Sequence, residues 1–474
     1  MNTSTQDIDN NKDFDVELDY ISQLCNISNA KIEIIDNKNI HASLSKVAGT
    51  FIAEVEARLS DDSDPNFQFD INNKTYETKN IGNIQSNTSY EIGKSLKFKT
   101  TIEIKSFCST DFCQTGIYKS FFPLDVKEIK SFHTEFETVT HSRNGTKYFY
   151  DCLRIELDTI QYDVTQLKYN NKGFYIIECL QPQNYEQFCD VCFSIQQAIG
   201  FINRLMVGGE KFTFDEAGKL YYTNYLRPAI KGMYSPITTN PYSYPDIDRD
   251  VSDEFINRLT RISLKNLSSL VKKIYYEPEF SVAILVIAEA TSIRSLLIIP
   301  SSFAVIIEQL SKHLSKHETG LEKPIPDINL QKTIIQDLFK VIDTYSVLLK
   351  DDSILKLKRR LNDLNKPINK KHLTNNEILT RPFEQLGIKL TLHDISIIEH
   401  RNDLLHGNLL LKNEGEENQV DTNLYTTYVS AKLFTLISKL ILKSIGYQGY
   451  VYNQAKYLEK QLRIDTNEDF FEKI

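Results

Sequence analysis

Apolar and polar residues alternate singly along much of the first half of the chain, then recur every three to four positions along the second. Successive side chains of a strand point to opposite faces, whereas one face of a helix repeats at 3.6 residues, so the two halves predict different structures. The segments 31–35 (KIEII), 50–59 (TFIAEVEARL), 95–104 (SLKFKTTIEI), 152–157 (CLRIEL) and 174–179 (FYIIEC) read as strands. A helix near 184–206 and a hairpin of 211–214 with 219–223 around Glu216-Ala217-Gly218 extend this region. Segment 233–245 holds Pro236, Pro241 and Pro245, which exclude a regular helix and mark a crossing or linker.

From Ser252 onward the expected helices are 252–274, 279–296, 300–316, 328–349, 352–364, 392–411, 421–445 and 449–463. The expected fold class is therefore α+β, with a β-rich, sandwich-like domain followed by an all-α bundle. The divisions follow as a polar N-terminal segment at 1–29, a β-rich sensor or regulatory domain at 30–250 and a helical domain at 251–474. A length of 474 residues suffices for two or three domains, each with a real core.

Charge sharpens the division. Residues 1–250 carry 25 Lys/Arg against 35 Asp/Glu, and residues 251–474 carry 30 against 28. The acidic half is poorly suited to gripping a nucleic-acid backbone over a broad face. Lys356, Lys358, Arg359, Arg360, Lys366, Lys370 and Lys371 form a local basic cluster in the second half, a candidate RNA contact whose plainer reading is a solvated face. The polar, acidic start lacks the apolar core of a secretory signal. The most apolar stretch, 281–300, is interrupted by Glu289 and Arg294 and reads as a buried helix pair instead of a membrane span. Seven irregularly spaced cysteines do not form a disulfide framework, so a cytoplasmic location is expected. Cys189 and Cys192 have ligand-like spacing, with Cys108 and Cys113 as the nearest complement, but buried helix cysteines are the better reading. His313 and His317 lack the Glu of a His-Glu-x-x-His site. No metal or cofactor is expected.

The sharpest chemistry lies in Arg401-Asn402-Asp403-Leu404-Leu405-His406. On one continuous helix, Ile395, Ile398, Leu405 and Leu409 form an apolar stripe passing through Asn402, so its amide is expected to be buried and to orient His406 one turn on. Gly407 disfavours further helix, and His400 is a weaker accessory candidate. A histidine able to transfer protons and an arginine able to hold phosphate oxygens permit cleavage of RNA by its own 2′-OH. Five residues of helix rotate by about 500°, which leaves Arg401 and His406 about 140° apart. Two copies across a two-fold axis would let both line one cleft.

This string, Arg-Asn followed by three residues and His, resembles the Arg-x4–6-His signature of the HEPN superfamily, and Gly407 matches its Apea-like branch. Segments 303–310 and 434–447 resemble neighbouring helices of that domain, so the likeness spans roughly 251–460 and is specific only at 401–407. It implies a helical HEPN bundle acting as a metal-independent endoribonuclease, with Arg401, Asn402 and His406 as catalytic residues and a 2′,3′-cyclic phosphate product. It further implies a homodimer, an RNA substrate such as tRNA, and anti-phage defence released by a phage or cellular trigger. The alternatives are a non-catalytic HEPN dimerisation or binding module and a toxin–antitoxin partner.

Overall fold

The computed structural model describes residues 14–34, 42–47, 49–56, 67–71, 73–89, 97–143, 147–224, 227–237, 253, 256, 259–293, 295–315, 321–322, 325, 327–363, 368–369, 375–406 and 419–474. A large antiparallel sheet occupies the first half of the chain and helices dominate the second. Thirteen strands make the sheet: β1 (Ala30–Ile34), β2 (Ala42–Val47), β3 (Thr50–Val55), β4 (Gln68–Ile71), β5 (Lys74–Ser89), β6 (Lys97–Ser109), β7 (Tyr118–Leu124), β8 (Val139–Arg143), β9 (Lys147–Leu157), β10 (Ile160–Tyr169), β11 (Lys172–Cys179), β12 (Lys211–Asp215) and β13 (Leu220–Thr223). Their order is β3-β2-β1-β4-β5-β6-β13-β12-β7-β11-β10-β9-β8.

A further ladder between β3 and β6, with Phe51 opposite Ile104 and Ala53 opposite Ile102, closes the first six strands into a ring. The long β6 serves both sides: its first part pairs β3, while Phe107 and Cys108 pair Tyr222 and Tyr221 of β13. Register shifts between Thr78 and Ile84 accompany this pairing, and such bulges bend a strand and increase its twist. The expected β-rich half is thus present, hydrogen-bonded as one curled antiparallel sheet. Alternation reveals which residues face inward but not which distant strands meet.

Helix α1 (Asp15–Cys25) buries Leu18, Ile21 and Leu24, together with Phe14, in the same apolar cluster as Leu44, Phe51, Phe69 and Phe107 of the ring. Part of the N-terminal segment read as polar is therefore a core element: its apolar residues are few but fall on one helical face.

A second cluster crosses from sheet to helices. Leu153, Ile155 and Val164 contribute to it, as do Phe188, Ile195 and Ile199 of α2 (Tyr185–Asn203). The helices that follow are α3 (Leu264–Tyr276), α4 (Pro278–Ile293), α5 (Ile298–Leu314), α6 (Ile328–Thr344), α7 (Asp351–Asn362), α8 (Asn375–Gln385), α9 (Leu392–Glu399), α10 (Arg401–His406), α11 (Gln419–Ser444) and α12 (Lys456–Leu462). Leu267 and Ile274 of α3, Ile284 of α4, Phe303 of α5 and Phe434 of α11 continue the same cluster.

Three helix expectations change. The one drawn over 252–274 is interrupted: Asp253 and Ile256 are helical, but Ile262 pairs with the sheet half, donating to Glu135 O at 2.9 Å and accepting from Glu137 N at 2.9 Å, and Ser263 then caps α3. The one at 449–463 splits into β14 (Tyr450–Tyr452), paired with β15 (Phe471–Lys473), and α12. Helix α8 was not among the expected helices; it holds Pro382 and buries Leu379 and Phe383.

Candidate functional site

The motif begins with a well-capped helix. Thr391 Oγ1 accepts from Asp394 N at 3.0 Å and Asp394 Oδ2 accepts from Thr391 N at 2.9 Å, a reciprocal capping box that starts α9. Regular helix stops at Glu399, His400 forms a turn, and α10 resumes at Arg401 with Leu404 N donating to His400 O at 3.0 Å.

Ile397, Ile398 and Leu404 are buried, whereas Asn402, Leu405 and His406 are exposed. Asn402 therefore does not cross a buried stripe as expected of one continuous helix. Leu409 and Gly407 lie outside the described residues.

Arg401 turns inward and is 15% exposed. Its Nε donates to Glu308 Oε2 of α5 at 2.9 Å, Nη2 donates to the same oxygen, and Nη1 donates to Asn402 Oδ1 at 2.8 Å. Asn402 thus contacts Arg401, not the imidazole it was expected to orient. Lys312 Nζ holds the other Glu308 oxygen at 2.5 Å. The Lys312 ammonium, and after it the Arg401 guanidinium, hold the Glu308 carboxyl below its ordinary range despite partial burial. Two turns earlier on α5, Ser301 Oγ donates to Leu404 O at 3.1 Å, so α10 is fixed to α5 at two points. His406 makes no hydrogen bond to a described residue. Leu297, Ile298, Val305 and Leu405 expose apolar surface on the same two helices.

The other side of the motif faces α11. His400 Nε2 lies 2.9 Å from Tyr425 Oη, and His393 Nε2 lies 2.6 Å from Tyr428 Oη. Burial pushes both imidazoles down from their ordinary value. Behind them sits a charged core that periodicity does not foresee. Lys432, wholly buried, meets Asp394 at 3.0 Å and also Glu468, while Lys439 meets Glu472 at 2.5 Å. Burial favours neutral Lys432, but Glu472, Asp394 and Glu468 outweigh it and raise its pKa. Burial likewise pushes Asp394 up, and Lys432 and Lys439 more than offset that. The available signal was two lysines inside the apolar run of α11; hydropathy alone does not say whether such lysines turn outward or find carboxylates.

The remaining candidates separate. On α7, Lys356 pairs with Asp352 at 2.6 Å and Lys358 with Asp343 at 2.5 Å, while Arg359 and Arg360 are exposed; Lys366, Lys370 and Lys371 lie outside the described residues. Cys189 and Cys192 lie on α2, and burial pushes the Cys192 thiol up. Cys108 is also buried, whereas Cys113 is exposed. His313 contacts Glu277 at 2.7 Å; His317 lies outside the described residues. No group of three or more potential metal-ligating His, Cys, Asp or Glu occurs among the described residues. Among them, no helix is long and apolar enough to cross a membrane. A cleft of about 850 Å³ lies on the sheet half between α1 and the 215–218 turn, lined by Tyr20, Lys74, Lys119 and Phe214 and by no motif residue.

Comparison with known proteins returns no match to any family model, curated protein or solved structure.

Proposed function

We propose that this chain is a metal-independent endoribonuclease of HEPN type that acts in anti-phage defence, with its sheet half restraining or triggering the helical half. The observation that carries the reading is the short α10, which presents His406 to solvent while Arg401 is braced between Glu308 and Asn402. In the proposed reaction a base takes the proton from the ribose 2′-OH, whose oxygen attacks the adjacent phosphorus. The P–O5′ bond breaks, an acid protonates the departing 5′-oxygen, and a 2′,3′-cyclic phosphate remains. His406 serves one proton transfer, and Arg401 stabilises charge growing on the phosphate oxygens. Asn402 holds the Arg401 fork.

The five-residue spacing on a helix sets Arg401 and His406 about 140° apart, so the proposed cleft is composite, formed where the motifs of two copies meet. The exposed Leu297, Ile298, Val305 and Leu405 beside the motif support such a meeting. The RNA class, tRNA included, and the cytoplasmic setting belong to the same proposal. A second reading, a non-catalytic binding module, draws on one observation: Glu308 already neutralises Arg401.

Incubation of labelled RNA with the purified chain in EDTA separates the two readings. Cleavage with cyclic-phosphate ends is expected, falling at least about 100-fold in Arg401→Ala and His406→Ala, the range of a lost acid, base or oxyanion donor. Full activity in either variant would overturn the assignment.

A further inference from the structure

Helices α6 and α7, joined by the turn Ser346–Leu348, form a hairpin that packs chiefly on itself. None of its described side chains is buried. Yet its sequence is amphipathic. Ile335, Phe339 and Ile342 of α6 and Ile354 and Leu361 of α7 are half-buried, while a second apolar row remains outside. Leu330, Ile334, Val341 and Tyr345 recur at i, i+4, i+11 and i+15, one face of α6 along nearly its whole length. Val347, Leu348 and Leu355 extend the exposed surface over the tip and onto α7, and these seven residues are 37% to 93% exposed. No described element covers them.

We infer that this hairpin is a homotypic docking surface, which packs against the same hairpin of a second copy to form a four-helix arrangement. Area is the first argument. The exposed apolar residues of the hairpin present roughly 800 Å² per copy, so full coverage of both would remove at most about 1,600 Å², within reach of a stable specific interface. Charge is the second. Between Asp327 and Asp363 lie seven Lys/Arg and six Asp/Glu, a near balance that gives little attraction for a polyanion but suits a self-complementary pair. Several of these charges are already spent within the hairpin, in Lys340–Asp337, Lys356–Asp352 and Lys358–Asp343. What the face still offers is mainly apolar. A hydrophobic helix face left in water is an aggregation liability unless a partner covers it.

This surface is distinct from the motif helices and does not depend on the nuclease reading. In the sequence it lies between α5, which carries Glu308, and α8, which packs against α5.

Sedimentation velocity of the full chain at about 10 µM, well above the dissociation constant of a standard-size interface, should show a dimer. The double variant Val341→Asp/Leu348→Asp alters side chains exposed within one chain and should weaken dimerisation at least 100-fold with unchanged helical circular dichroism. Leu405→Asp, in the motif patch, should leave the hairpin contact intact. A monomeric wild type, or a dimer broken by Leu405→Asp and not by the hairpin pair, overturns the inference. Should the hairpin variant unfold, cross-linking of mixed heavy- and light-isotope wild-type chains decides: inter-chain links between hairpin residues support the contact, and their absence from a cross-linked dimer refutes it. Loss of RNA binding with dimerisation unchanged would assign the surface to RNA and refute the second-copy proposal.

Discussion

Arg401 gains its character from its neighbours. A guanidinium with one side on Glu308 and another on Asn402 has lost most of its rotamer freedom, which is what the proposed phosphate-binding role would require before substrate arrives. Asn402→Ala should therefore lower cleavage about tenfold, as loss of an outer-shell orienting contact does, with little change in melting temperature because the residue is exposed. Single-turnover cleavage together with a thermal melt checks both halves. Glu308→Gln keeps the shape and removes the charge, and should also cut activity about tenfold by loosening Arg401. A rise in activity instead would assign Glu308 a restraining role.

At the scale of elements, the motif depends on helices packed on both its sides. Asp394 caps α9 and also meets Lys432 of α11, so one carboxylate fixes where the motif begins and what it leans on. Lys432→Ala would leave the buried Asp394 and the largely covered Glu468 carboxylate without their cation, and a broken buried pair costs about 3–5 kcal/mol, measurable by urea denaturation. Acid should weaken the same junction in two stages. His393 and His400 have depressed pKa values, so the unfolded chain takes protons first; their contribution is present above 6.5 and is lost as pH falls below it. Asp394 is also depressed, and its contribution holds above 3.8 and is lost as pH falls toward its lower folded value. Melting temperature followed from pH 7 downward should decline through the first stage in wild type and more shallowly in His400→Gln.

For the whole molecule, the decisive feature is the apolar cluster shared between sheet and helices. Phe188, Ile195 and Ile199 of α2 join Leu267, Ile274 and Ile284 in one core. A fragment beginning at residue 251 would expose that face to water, and it should lack the dispersed amide spectrum of a folded bundle. A well-dispersed, cooperatively melting fragment would contradict this dependence. Such a shared core also offers a physical route by which an event on the sheet half can alter the helical half, since packed interiors transmit strain.

The alternation in 31–35, 50–59 and 174–179 determined the strand-rich half, and the 3.6-residue recurrence after 252 determined the helical half, because burial of one face is a local property of the pattern. The Arg401–His406 string stands out for the same reason, since the chemistry proposed for it rests on residue types and spacing. Only the tertiary structure decided that β3 meets β6, that α1 buries Leu18 and Ile21 with the ring, and that Lys432 finds Asp394 and Glu468. Those pairings join residues far apart in sequence, and no periodicity encodes them. The turn at His400 shows the limit most sharply. The run 392–406 reads as one continuous helix, but regular helix stops at Glu399 and resumes at Arg401, and the buried residues are Ile397, Ile398 and Leu404, which leaves Asn402 at the surface beside Arg401.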